Sequence, residues 1–190
     1  MEVENWLLTG VFIVLFVLTL FFTINRSLVS NKFREAPFPG FLSFFLFTVC
    51  VSAPMTLANI TNNYLIGIYA TIMELFFFDI VFGILYCILA YLLVRAFLQR
   101  DGDAIFLGYG FLAVCLVSNL IMWTNIENFP YRSLVYCLVF GLFFYYSSGI
   151  EECIPSEKRY IAKIDQYVVG VSLLWVVMEF AMLYFYYGAR

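Results

Sequence analysis

Long apolar runs dominate this chain of 190 residues and leave little sequence between them for any other structure. Hydrophobic residues make up 64% of the chain, charged residues 12%, and the mean hydropathy is +0.95. A helix that crosses a bilayer needs about 20 apolar residues. The sequence therefore predicts an all-α, polytopic transmembrane bundle of about six helices, a single domain over residues 1–190 with no soluble domain. The predicted spans are 6–24, 41–60, 65–98, 104–123, 134–150 and 167–187.

The third apolar run is too long for an upright crossing. As one helix, its 34 residues would extend about 51 Å at 1.5 Å per residue, whereas the hydrocarbon core is about 30 Å thick. The run must tilt, protrude or break. We predict one long helix that projects beyond the bilayer.

The basic residues support one crossing by this run, because Lys and Arg accumulate in short cytoplasmic loops. One crossing places eight of the ten Lys and Arg residues on the same side and leaves Arg132 and Arg190 on the other. We therefore expect both termini outside, in what we take to be a bacterial inner membrane. Turn-forming residues at 37–40, 61–63 and 101–103 are expected to separate antiparallel neighbours.

Small and hydrogen-bonding residues recur at helical spacing in the second, fourth and fifth runs. In lipid such residues mark packed helix faces, so these three helices are predicted to lie inside the bundle. The alternative to plain packing is a pore or substrate cavity lined by the same side chains. The first run is almost wholly apolar and should lie at the periphery. The recurring residues are Thr48, Ser52, Thr56 and Asn59; Gly108, Cys115 and Asn119; and Cys137, Gly141, Tyr145 and Ser148.

Three acids lie within apolar runs, namely Glu74, Asp79 and Glu179. A charge at the bilayer centre costs about 2.5 to 3.5 kcal/mol on insertion scales, so such residues usually face protein or water. With Asn119, they form our candidate intramembrane polar or ion site. One interpretation is a proton or cation site. The other is a protonated carboxyl that holds helices together by donating to Asn119, a backbone carbonyl or a tyrosine hydroxyl.

Motifs for other chemistry are missing from the sequence. There is no histidine, which removes the commonest general base, and the five cysteines are widely spaced. We expect no enzyme activity, no cofactor and no metal. The net charge of −3 and the scattered basic residues do not favour nucleic acid as a partner.

The predicted cytoplasmic loops offer a charged surface. Its residues either contact anionic lipid headgroups or dock a cytoplasmic protein partner. The residues assigned to docking are Lys158, Arg159, Lys163, Lys32 and Arg34.

Two functions follow from these patterns. The first is a non-enzymatic membrane subunit that forms a homo-oligomer and relays an envelope or external signal to a cytoplasmic partner, as in bacterial defence or immunity systems. The second is a small proton- or cation-linked transporter or channel built around Asp79 and Glu179.

Overall fold

The computed structural model describes residues 2–23, 40–65, 67, 73–125, 131–146, 154, 167, 169–178 and 181. Throughout these ranges the regular secondary structure is α-helical. The helices are α1 (Glu2–Thr23), α2 (Gly40–Leu65), α3 (Met73–Gln99), α4 (Ala104–Asn125), α5 (Tyr131–Tyr146) and α6 (Val169–Met178).

Within the described residues, two stretches have the length and apolar composition needed to cross a membrane, Gly40–Leu65 and Asp79–Gln99. Shorter apolar helices occupy Thr9–Thr19, Ala104–Asn119, Ser133–Tyr146 and Val169–Met178. The all-helical class predicted from the sequence is confirmed for this part of the chain.

The junction between α2 and α3 differs from the prediction. Helix α2 continues through residues 61–63, which we expected to form a turn, and ends at Leu65. Within this extension the Thr61 hydroxyl donates to the Leu57 carbonyl, 2.8 Å away, so its polar group is satisfied inside the helix. The turn lies at Gly67, whose φ of 80° suits a glycine. The described part of α3, Met73–Gln99, is about 40 Å long and so exceeds the thickness of the hydrocarbon core.

The turn between α3 and α4 lies where the sequence predicts it. Arg100 adopts a left-handed φ of 54°, and its N–H donates to the Phe97 carbonyl at 3.0 Å. The N–H of Asp101 donates to the Ala96 carbonyl at 2.9 Å, which completes a Schellman cap. The Asp103 N–H then donates to the Asp101 carboxylate at 3.4 Å. These bonds reverse the chain within a few residues and set α4 antiparallel beside α3.

Consecutive helices are neighbours, as expected from the short loops. Helix α2 packs along α3 and α1, and α4 packs along α3 and α5. Helix α6 contacts α4, where a Cβ built on Gly110 would lie 3.1 Å from Val169 Cγ1. The buried core is rich in aromatic rings and centres on Phe45, Phe97 and Phe111, none of which is more than 1% exposed.

Helix α1 lies at the periphery, as predicted. Large apolar side chains along its length remain exposed, including Leu7, Val14 and Phe21. The predicted interior faces are confirmed only in part, because Asn59 and Tyr145 are exposed. Ser148, the last residue of the predicted face on α5, lies outside the described residues.

A polar cavity between four helices

A cavity of about 310 Å³ lies between α2, α3, α4 and α5. We call it the polar cavity. Eight of the nine described side chains that line it carry a hydroxyl, thiol or amide group, and the ninth is a phenylalanine. The lining residues are Thr48, Ser52, Tyr86, Phe111, Cys115, Asn119, Ser133, Tyr136 and Cys137.

Helix α2 provides one wall through Thr48 and Ser52, which lie one helical turn apart. The Thr48 hydroxyl donates to the Phe45 carbonyl at 2.7 Å and also lies 2.7 Å from the Tyr136 hydroxyl of α5. Since a threonine hydroxyl has only one hydrogen, the Tyr136 hydroxyl is the donor in the second bond. This bond joins two helices that are 88 residues apart in the sequence.

Helices α3 and α4 contribute Tyr86, Phe111, Cys115 and Asn119 to the lining. The Tyr86 hydroxyl lies 3.2 Å from the Cys115 sulfur, and the Tyr86 ring stacks on Phe111 with centroids 5.0 Å apart and planes inclined by 22°. Tyr86 thus presents a polar tip beside an apolar aromatic surface. The lining of the polar cavity therefore combines aromatic surface with hydrogen-bonding groups.

Asn119 ties α4 to the start of α5. Its amide nitrogen donates to the Cys115 carbonyl at 2.7 Å, and its amide oxygen accepts from the Ser133 hydroxyl at 2.9 Å. One turn further along α5, the Cys137 thiol donates to the Leu112 carbonyl at 3.6 Å. These bonds hold Ser133 and Cys137 against α4 and fix that edge of the polar cavity.

Asn119 is the predicted site residue that the structure places in the polar cavity. Asp79 lies on α3, is half-buried, and is not among the lining residues. Glu74 belongs to helix α3, but its side chain lies outside the described part of the structure. The whole of Glu179 also lies outside it. The meeting of Asp79 with Glu179 therefore stays a prediction.

The predicted docking surface lies outside the described residues. This applies to all five of its members, Lys32, Arg34, Lys158, Arg159 and Lys163. Among the described residues, no group of three or more His, Cys, Asp or Glu side chains is placed to hold a metal ion.

Sequence reasoning missed Ser133 and Tyr136. The pattern on the fifth run was taken to start at Cys137, yet Ser133 precedes it by four residues and Tyr136 lies three residues after Ser133. Extending the same helical spacing by one turn would have found both residues. Ser133 fell just outside the predicted span, and Tyr136 was hidden among the many other tyrosines of the chain.

Comparison of the chain with protein-family models, with curated proteins and with solved structures finds no match. The part of the chain that the structure describes is all-helical, has two stretches long and apolar enough to cross a membrane, and holds a cavity with hydrogen-bonding groups among its helices.

Proposed function

We propose that this chain is an integral membrane protein that crosses the bilayer six times, with both termini outside, and belongs to the class of small transporters and channels. Its solute occupies the polar cavity between α2, α3, α4 and α5. The proposal includes no enzymatic step.

The outward faces of the helices support a lipid environment. Each of the six helices exposes a large apolar side chain that is at least 48% accessible. Only 39% of the apolar stretch of α2 and 44% of that of α3 is buried in the protein. Soluble monomers rarely expose contiguous apolar surface on this scale, whereas hydrocarbon accommodates it without cost. The exposed side chains include Leu7, Phe47, Phe77, Phe106, Leu138 and Leu174.

The polar cavity carries the functional part of the proposal. Small-molecule sites have volumes of about 300 to 1,000 Å³ and combine apolar walls with a few polar groups. The polar cavity falls at the lower end of that range with about 310 Å³. Plain helix packing in lipid brings small residues together and closes such a space. An open volume lined by eight polar side chains favours solute binding over packing alone.

Access to this cavity from water is the property to test. Two forms of the full chain are prepared, each with four of the five cysteines replaced by alanine, one retaining Cys115 and the other Cys87. Cys115 lines the polar cavity, whereas Cys87 is half-buried on α3 and does not. Both are treated in native membranes with 2-hydroxyethyl methanethiosulfonate, and the modified fraction is followed by intact mass.

We expect Cys115 to react several times faster than Cys87, because a solute from water reaches the polar cavity. If Cys115 reacts no faster than Cys87, the polar cavity is closed to solutes and the proposal fails.

A second candidate function is the relay subunit. The observation in its favour is the exposed apolar face of α1, where Leu7, Val14 and Leu15 are each more than half exposed and available to another copy of the chain. Its test is reversal of charge at Lys158, Arg159 and Lys163, which should release a soluble protein that co-purifies from native membranes. Recovery of no such protein with the unmodified chain would refute it.

A further inference from the structure

We infer that the polar cavity takes a small uncharged ligand that both donates and accepts hydrogen bonds, and that it excludes ions. The inference rests on the proposed function, since it assumes that a solute enters the polar cavity. It replaces the ion expected from the intramembrane acids with a neutral molecule.

The charge of the described lining favours a neutral ligand over an ion. Among the nine described residues that line the polar cavity there is no Asp, Glu, Lys or Arg. The described acid on α3, Asp79, precedes Tyr86 by seven residues, which is about 10 Å along the helix axis. An ion in the polar cavity would lose water without gaining an opposite charge in the lining, and such a transfer is strongly unfavourable. A neutral polar molecule does not incur this cost.

The lining can both donate hydrogen bonds to a ligand and accept them. The Asn119 amide has two N–H donors, and among the described residues it uses one, toward the Cys115 carbonyl. The Tyr136 hydroxyl donates its hydrogen to Thr48, so its oxygen can still accept a hydrogen bond from a ligand. The polar cavity therefore offers both a donor and an acceptor. A ligand with both kinds of group satisfies them together.

The volume and the aromatic lining of the polar cavity limit the kind of ligand that fits. A water molecule has a share of liquid volume of about 30 Å³, so the cavity has room for roughly ten waters or for one small organic molecule of equal volume. The stacked rings of Tyr86 and Phe111 contribute aromatic surface to the lining. Small polyols, amides and uncharged heterocycles combine an apolar face with polar edges and match this arrangement.

The experiment compares reagents of different charge at the same thiol. The form that retains only Cys115 is treated in native membranes with three methanethiosulfonates, bearing a neutral 2-hydroxyethyl, a cationic 2-(trimethylammonium)ethyl or an anionic 2-sulfonatoethyl group. Each rate is divided by the rate of the same reagent with 2-mercaptoethanol in buffer. This ratio removes differences in intrinsic reactivity and leaves the selectivity of the polar cavity.

We expect the normalised rate of the neutral reagent to exceed both charged ones by about tenfold or more, given the penalty for a charge within the bilayer. Equal normalised rates, or a faster charged reagent, would overturn the neutral-ligand inference while leaving solute access intact. If none of the three reagents modifies Cys115, the proposed function itself fails and the inference fails with it.

A matched variant checks that the lining causes the selectivity. Asn119→Asp in the same single-cysteine form keeps the size of the side chain, and its ionised carboxylate adds one negative charge to the polar cavity. Because burial favours the neutral acid, the rates for this variant and its parent are measured at a pH of about 9, well above the ordinary range of a carboxyl. We expect the ratio of the normalised rate of the cationic reagent to that of the anionic reagent to rise. An unchanged ratio between these two reagents would show that the selectivity arises elsewhere on the access path and would overturn the assignment to the polar cavity.

Discussion

The hydrogen bond between Thr48 and Tyr136 should stabilise the bundle by an amount that a double-mutant cycle can measure. The two oxygens are 2.7 Å apart, the usual distance for a strong O–H···O bond, and the bond joins α2 to α5 across the polar cavity. Hydrogen bonds between membrane helices contribute about 0.6 kcal/mol on average and up to about 1.7 kcal/mol. We therefore expect a coupling free energy between Thr48→Val and Tyr136→Phe within this range. It corresponds to a change of about threefold to 18-fold in the unfolding equilibrium constant.

The free energy of unfolding is measured by titrating sodium dodecyl sulfate into the protein in dodecyl maltoside micelles and following helix content by circular dichroism. Thr56→Val is the matched control, because its hydroxyl donates only within α2, to the Ser52 carbonyl at 3.0 Å. Thr56→Val combined with Tyr136→Phe should be additive, since the residues share no bond. Additivity of Thr48→Val with Tyr136→Phe would refute the bond and, with it, the described wall of the polar cavity.

Two further predictions concern glycines, measured by the same titration. Gly108→Ala should be about 1 to 3 kcal/mol less stable than Gly141→Ala, because the new Cβ would lie 2.8 Å from Phe144 Cε2, whereas nothing lies within 4 Å at Gly141. Equal stability of the two variants would contradict this packing. Gly67→Ala should cost about 1 to 2 kcal/mol, since its φ is 80° and the new Cβ meets no atom within 4 Å, so that only backbone strain acts. A variant as stable as the parent would place the turn elsewhere.

The helical class and several cavity residues could be predicted from the sequence, because both depend on local patterns. Apolar runs determine helices in a chain of this composition, and the i, i+4 spacing of Thr48 with Ser52 and of Cys115 with Asn119 predicts shared faces. All four residues line the polar cavity. A residue can be assigned to a helix face without knowledge of any other helix.

The cavity itself was not predictable, because it depends on how four helices are rotated and displaced relative to one another. Tyr136 contacts Thr48 only because α5 lies against α2, a contact between distant parts of the chain. The end of α2 was also predicted wrongly, since Thr61-Asn62-Asn63 is a sequence typical of turns but here continues the helix to Leu65.

The membrane topology is tested most directly by labelling single cysteines placed at Lys32, Lys158 and Arg132. A membrane-impermeant maleimide is added to intact cells and, separately, to inverted membrane vesicles. A bundle of six spans with both termini outside predicts that positions 32 and 158 react only in inverted vesicles and position 132 only in intact cells. Labelling of positions 32 and 158 from opposite sides would contradict the topology and the placement of the polar cavity within it.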